Sequence, residues 1–132
     1  MAISPDLILI QASTRGWTGC PDLCMKMLRG KTLLDHTIDR CASVFPGVPI
    51  QIIAPAYDAG NLDEHRVKVS YSHDSAPLFR MADAVSGLGL DAKVLCVAGH
   101  HAFFDAPTVS RIVNELSGYG VARLASGYPP QL

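Results

Sequence analysis

Three short, nearly continuous apolar runs constrain this chain more than any other feature. They are Leu7-Ile8-Leu9-Ile10, Ile50-Gln51-Ile52-Ile53-Ala54 (ending at Pro55) and Lys93-Val94-Leu95-Cys96-Val97-Ala98. Runs of this length are what strands buried on both faces require. Helical spacing separates them. Leu33, Leu34, Thr37, Ile38 and Cys41 put one apolar stripe on a predicted helix from Thr32 to Val44, stopped by Pro46-Gly47. Val67-Lys68-Val69-Ser70-Tyr71 alternates as a further strand. Leu78, Met81, Ala82 and Val85 mark a second helix ended by Gly87 and Gly89. Val109, Ile112, Val113 and Leu116 place a third from Pro107 to Ser117, before Gly118. Val121-Ala122-Arg123-Leu124 reads as a last strand or an extended tail. This alternation predicts an α/β fold: a mostly parallel sheet with right-handed crossovers and helices on its faces.

The 132 residues make one domain, 1–132, with a tail from about residue 125. Eleven Lys and Arg against twelve Asp and Glu leave a net charge of -1, with no basic excess to neutralise nucleic-acid phosphates. No stretch reaches the roughly 18 apolar residues a spanning helix needs, so no membrane is expected. Met1 to Asp6 carries no basic segment ahead of an apolar one, so the expected location is cytoplasmic. Cys20, Cys24, Cys41 and Cys96 are read as reduced thiols, with Cys41 on the helix face and Cys96 in a buried strand as small core residues. Cys20-x-x-x-Cys24 lacks the second ligand pair of a zinc site.

In an open parallel sheet, ligands bind outside the carboxyl ends of the strands. Here those ends are Gln11 to Arg15, Ala54 to Ala56, Tyr71 to Asp74 and Gly99 to His101. The first loop, about a dozen residues long, is the longest. It holds Thr14, Arg15, Gly16, Thr18, Gly19, Lys26, Arg29, Gly30 and Lys31. Gly, Thr and cations ahead of a helix can hold phosphates through backbone N–H groups and the helix dipole. The loop has neither the P-loop nor the dinucleotide glycine spacing. On residue chemistry alone it reads first as a solvated basic loop.

Taken together, Leu9-Ile10-Gln11-Ala12-Ser13-Thr14-Arg15, Pro21 and Gly30-Lys31-Thr32-Leu33-Leu34-Asp35-His36-Thr37-Ile38-Asp39-Arg40 resemble the opening of the cytidylyltransferase-like nucleotidyltransferases. Within that family the similarity is to the spore-coat-polysaccharide and acylneuraminate type. There a strand ending in Gln-Ala-Arg precedes Ser-x-Arg-Leu-Pro-x-Lys, then Gly-Lys-Pro-Leu-Leu-Glu-His and an Arg. Ala76 to Ala84 is similar to the family's Asp-Val-Leu-x-Arg-Tyr-x-x-Ala segment. Val97 to Asp105 sits where the family has Gly-Asp-x-Pro-Leu-Ile-Asp.

The resemblance implies a Rossmann-like three-layer sandwich, nucleotide-diphospho-sugar transferase-like. It implies a nucleoside triphosphate substrate, usually CTP, with Mg2+, and transfer of a cytidylyl group to a sugar or sugar acid in polysaccharide biosynthesis. By position, Gln11, Ala12, Ser13, Thr14, Gly99 and His100 would line the nucleotide, with His73 and Arg80 near its edge. Arg15 and Lys26 would neutralise the triphosphate, and Asp105 would be a metal ligand.

The sequence also departs from the family. Ser13 stands where the first-loop Arg falls. Anchoring on Pro21 puts Leu23 at the Lys position, and only a gapped alignment puts Lys26 there. His100 stands at the metal-binding Asp, and imidazole substitutes poorly for a hard oxygen donor on magnesium. The alternative is therefore a non-catalytic module of the same fold that binds a nucleotide or a protein. A short member of such a family is expected to be a homo-oligomer, with the Gly127-Tyr128-Pro129-Pro130 tail or the third helix at the contact.

Several residues carry a plainer reading beside the functional one. Adjacent histidines in a strand would point to opposite faces, so His100 and His101 would not share one metal. Asp105, ahead of Ala106-Pro107, reads as a helix N-cap. Arg80, Asp39 and Arg40 read as outward helix faces. Trp17 could stack on a base, cover the core edge or meet a partner. Ser13 and His100 become neighbours if the first and fourth strands adjoin, which falls short of fixing a catalytic triad.

Overall fold

The computed structural model describes residues 4–14, 23–58, 62, 66–72, 84–85, 87–89 and 92–115. The strands are β1 (Leu7–Gln11), β2 (Met27–Leu28), β3 (Lys31–Thr32), β4 (Ile50–Pro55), β5 (Lys68–Ser72) and β6 (Val94–Ala98). The helices are α1 (Leu33–Val44) and α2 (Ala106–Glu115), and Leu23–Met25 and Ala56–Asp58 form single 3₁₀ turns.

β1, β4, β5 and β6 make one sheet in the order β5-β4-β1-β6, and each of its described pairings is parallel. β1 and β4 have neighbours on both sides, and Ile8, Leu9 and Ile10 of β1 are completely buried. Its side chains alternate between the faces. Ile8 and Ile10 join Ile52, Ala54 and Val97 beneath Leu34, Ile38 and Cys41 of α1 and Val113 of α2. Leu7, Leu9 and Ile53 face the other way, against Ala84 and Val85. Those two residues are helical and are the described part of the expected second helix, whose remainder lies outside the described residues, as does Val121–Leu124. α1 and α2 thus cover one face of the parallel sheet, and Ala84 and Val85 lie against the other.

α1 follows its sequence pattern closely. Thr32 adopts extended backbone as N-cap, and its hydroxyl accepts from the Asp35 N–H at 3.1 Å. Asp35 in the first turn suits the positive end of the dipole. At the other end the Phe45 N–H donates to Cys41 O, and Gly47 takes the left-handed φ of +81° that Pro46-Gly47 signals. Burial of Cys41 pushes its thiol up to about 11.

The structure corrects two expectations about the fold. The fourth strand is not buried throughout: Cys96 is exposed. β6 is terminal in the described strand order, and an apolar run does not say whether a strand is central or flanking. The connection from β1 to α1 spans residues 12–32, longer than the dozen expected, and carries a 3₁₀ turn and the antiparallel hairpin β2–β3. Arg29 and Gly30 both have positive φ, 52° and 88°, as a two-residue type I′ turn needs. Strands of two residues are too short to show a period. The hairpin is fixed to α1 by the Leu33 N–H donating to Lys26 O at 2.9 Å and by His36 Nε2 at 2.7 Å from Leu28 O.

Among the described residues, no helix is long and apolar enough to cross a membrane.

Candidate functional site

Strand order reverses at β1: β4 and β5 build outward on one side and β6 on the other. The crevice beyond the carboxyl ends of β1 and β6 is therefore the topological switch point. It is bounded by Ala12 to Thr14 after β1 and by Gly99 to His101 after β6.

The two loops meet through backbone. The Gly99 N–H donates to Gln11 O at 2.8 Å, and the Ala12 N–H donates to Ile53 O at 3.0 Å. A Cβ at Gly99 would stand 2.8 Å from Gln11 O, 3.1 Å from Cys24 Cβ and 3.3 Å from Leu34 Cδ1, so only glycine fits without displacing its surroundings. Cys24 lies buried below, its thiol donating to Ser13 O at 3.1 Å.

Helix α1 holds the second loop from behind. The Thr37 hydroxyl is completely buried, 2.8 Å from Gly99 O and 2.9 Å from Leu33 O, its proton shared between them. One turn on, Arg40 donates from Nε and Nη2 to Phe104 O at 3.2 and 3.0 Å, with its guanidinium 5.6 Å from the Phe104 ring centroid. Arg40 is thus not simply a solvated helix face, and neither is Asp39, which pairs with Lys31 and Arg66. Helical periodicity shows which way a side chain starts, not what its far end meets.

The first loop is held from β4. Asp58, in the turn after that strand, is completely buried. Its Oδ2 accepts from the Thr14 N–H at 2.9 Å, and its Oδ1 accepts from the Thr14 hydroxyl. Asp58 was not anticipated. The signal available was its place just beyond the carboxyl end of β4, one of the positions where ligand-site residues are sought.

His100 and His101 depart from expectation. They lie in a turn beyond β6, where the His101 N–H donates to Ala98 O at 3.0 Å, and turn geometry brings their rings together, centroids 4.5 Å apart at 73°. Burial, and then the charge of His100, push the His101 pKa below the usual imidazole value. Asp105 caps α2: its Oδ2 accepts from the Thr108 N–H at 3.1 Å and from the Thr108 hydroxyl. These bonds, hydroxyl first, with Arg40 adding to them, hold its carboxyl below the usual range.

Gln11, Ala12, Ser13 and Thr14 therefore share the switch point with Gly99 and His100. Gln11 and Ser13 are half-buried and Ala12 is buried. β1 and β6 adjoin, as the pairing of Ser13 with His100 supposed. Lys26 is exposed at the base of the hairpin, its N–H donating to Leu23 O. Arg15, Trp17, Cys20, Pro21, His73 and Arg80 lie outside the described residues. Among the described residues, no group of three or more His, Cys, Asp or Glu could hold a metal ion.

No protein-family model matches the chain, and no curated protein is similar to it. Solved structures do share its fold. CMP:2-keto-3-deoxy-manno-octonic acid synthetase complexed with CTP aligns with TM-score 0.68 at 15% identity, over 89% of this chain and 49% of that one. Rv0371c of Mycobacterium tuberculosis H37Rv aligns with 0.62 at 14%, over 85% and 60%, and a second structure of it is a manganese complex. The 4-diphosphocytidyl-2C-methyl-D-erythritol synthase of Anaerococcus prevotii aligns with 0.57 at 16%, over 86% and 52%. The chain spans about half the length of the first of these, 49%. The α/β, Rossmann-like fold is the one these structures share with this chain.

Proposed function

We propose that the chain binds a nucleoside triphosphate, CTP in preference, in the β1/β6 crevice and transfers its cytidylyl group to a sugar or sugar acid. The acceptor oxygen would form a bond to the α-phosphorus and lose its proton, and the bond to the β-phosphate oxygen would break, releasing pyrophosphate. One observation carries this reading. The switch point is built from closely apposed backbone at Gln11 and Gly99, in a fold shared with a synthetase solved with CTP.

In this reading Gln11 to Thr14 and Gly99 to His100 line the nucleotide, while Arg15 and Lys26 offset the triphosphate charge. His73 and Arg80 stand at the nucleotide edge. The acceptor class follows the spore-coat-polysaccharide and acylneuraminate branch that the motif order resembles. The homo-oligomer is part of the proposal, and a concentration-independent monomer in ultracentrifugation would remove it.

Magnesium requires hard oxygen donors. Among the described carboxylates, Asp58 is completely buried under Thr14 and Asp105 takes both Thr108 bonds on Oδ2, while the side chains after β6 are the His100 and His101 imidazoles. Among the described residues that donor set is a poor match for the ion. The same observation favours the second reading, a nucleotide- or protein-binding module without turnover.

Calorimetric titration with CTP, ATP, GTP and UTP, with and without magnesium, tests both. Saturable CTP binding that Arg15→Ala weakens supports the nucleotide site, and pyrophosphate release with a sugar-acid acceptor supports transfer. CTP binding without release in an acceptor screen selects the module. No heat with any nucleotide refutes the nucleotide site.

A further inference from the structure

Three polar or charged residues are buried among the described ones: Thr37, Gln51 and Asp58. Gln51 stays within the sheet, donating to the Ser70 hydroxyl. The other two reach the loops that bound the switch point. Thr37 meets a carbonyl, a neutral contact. Asp58 brings a carboxylate into a place where none of its surface meets water.

Burying that group costs several kcal/mol unless donors replace the lost water. Both donors to Asp58 that the structure shows come from one residue, Thr14, 44 positions earlier in the chain. A carboxylate gripping both the N–H and the hydroxyl of one residue fixes that residue's position and its rotation. An apolar pair would stabilise the same junction as well or better, without setting that orientation.

We infer that Asp58 is a positioning residue for nucleotide binding, acting through Thr14 to fix the path of the loop after β1. This rests on the proposed nucleotide site. Asp58 itself, being completely buried, touches no ligand. Its contribution is that Ala12 to Thr14 are held before the nucleotide arrives, which lowers the ordering cost of binding at those residues.

The test combines Asp58→Asn, Thr14→Val and the double variant, each checked for folding by thermal unfolding. Charge-assisted bonds of this type correspond to about a tenfold change in affinity or more. Asp58→Asn and Thr14→Val are each expected to weaken CTP by that factor. The double variant should lose less than the product of the two single losses, because both substitutions weaken the same pair of bonds while the Thr14 N–H can still donate in each. Thr14→Ser should recover most of what Thr14→Val loses. A folded Asp58→Asn protein with unchanged CTP affinity overturns the inference, and so does a double variant whose losses multiply.

Amide hydrogen exchange separates this from failure of the nucleotide site. Even if the wild-type chain binds no nucleotide, Asp58→Asn should accelerate exchange at the Thr14 N–H while Leu9 and Ile10 stay protected. Unchanged exchange at Thr14 overturns the inference on its own. Should Asp58→Asn not fold, Thr14→Val and Thr14→Ser decide by the same affinity comparison.

Discussion

Gly99→Ala probes the switch point with one carbon atom. The new Cβ would stand 2.8 Å from Gln11 O, where a carbon and a carbonyl oxygen ordinarily approach no closer than about 3.3 Å. That oxygen cannot simply retreat, because it accepts the Gly99 N–H at 2.8 Å and lies at the end of a strand paired on both sides. Relief by moving the loop would stretch this bond and the 2.8 Å contact between Thr37 and Gly99 O. Overpacking of this kind costs about 1–3 kcal/mol, and backbone on one side places it in the upper half of that range. Alanine restricts the unfolded chain and returns about 0.4–1 kcal/mol, so the net loss is about 1–2.6 kcal/mol. For a domain of this size that lowers Tm by about 4–9 °C.

Urea unfolding followed by circular dichroism measures this directly, with the midpoint falling and the slope unchanged. Gly87→Ala and Gly89→Ala are the controls. Neither site has a heavy atom within 4 Å of the added carbon or a left-handed φ, so both variants should be neutral or slightly stabilised. A Gly99→Ala protein within about 0.5 kcal/mol of wild type, the spread of ordinary surface changes, would refute the close apposition of the two loops.

Thiol labelling of the native protein should modify exposed Cys96, slowly at neutral pH because partial burial raises its pKa, and should reach buried Cys41 only on unfolding, as peptide mass mapping would show. Equal rates at the two would contradict the placement of α1. The lowered pKa of His101 means that the unfolded imidazole takes up its proton at higher pH than the folded one. Stability should therefore fall as pH drops from about 7 through 6.5 and level off below the folded value, and His101→Gln should flatten that slope in urea titrations at stepped pH. Arg29 sits at a φ of 52°, which asparagine tolerates better than arginine, so Arg29→Asn should raise stability by about 0.5 kcal/mol. No gain in the unfolding midpoint would argue against the type I′ turn.

How much of this was legible in the sequence depended on how far apart the interacting residues lie. β1 and α1 announced themselves because burial on two faces, and a stripe on one, are written in neighbouring residues. Thr32 and Pro46-Gly47 marked the ends of α1 because caps are local too. Asp105 as a cap was readable for the same reason, with Thr108 three residues on. The clamps were not readable: Thr37 meets Gly99 across 62 positions, Arg40 meets Phe104 across 64, and Asp58 meets Thr14 across 44. Thr37 was placed on the apolar stripe, where its burial is real, but nothing nearby shows that its hydroxyl serves a distant loop. Opposite faces hold for adjacent histidines only within a strand, and β6 ends at Ala98. The turn after Ala98 brought the rings together instead.

His100 also separates the two proposed readings. Both need the frame set by Gly99, Thr37 and Asp58, since a nucleotide must find its loops in place whether or not it reacts. Only the transfer reading gains from a hard oxygen donor at the end of β6. His100→Asp supplies one, next to the His101 imidazole and on a loop that Thr37 already holds. If the position corresponds to the family's metal-binding carboxylate, magnesium should strengthen CTP binding in His100→Asp more than in the parent chain, by about tenfold for one added carboxylate contact. Calorimetry of both proteins at matched ionic strength measures the difference, since free ions also screen charge. An equal magnesium response in the two would detach His100 from metal binding and leave the loop after β6 with a role in holding the nucleotide alone.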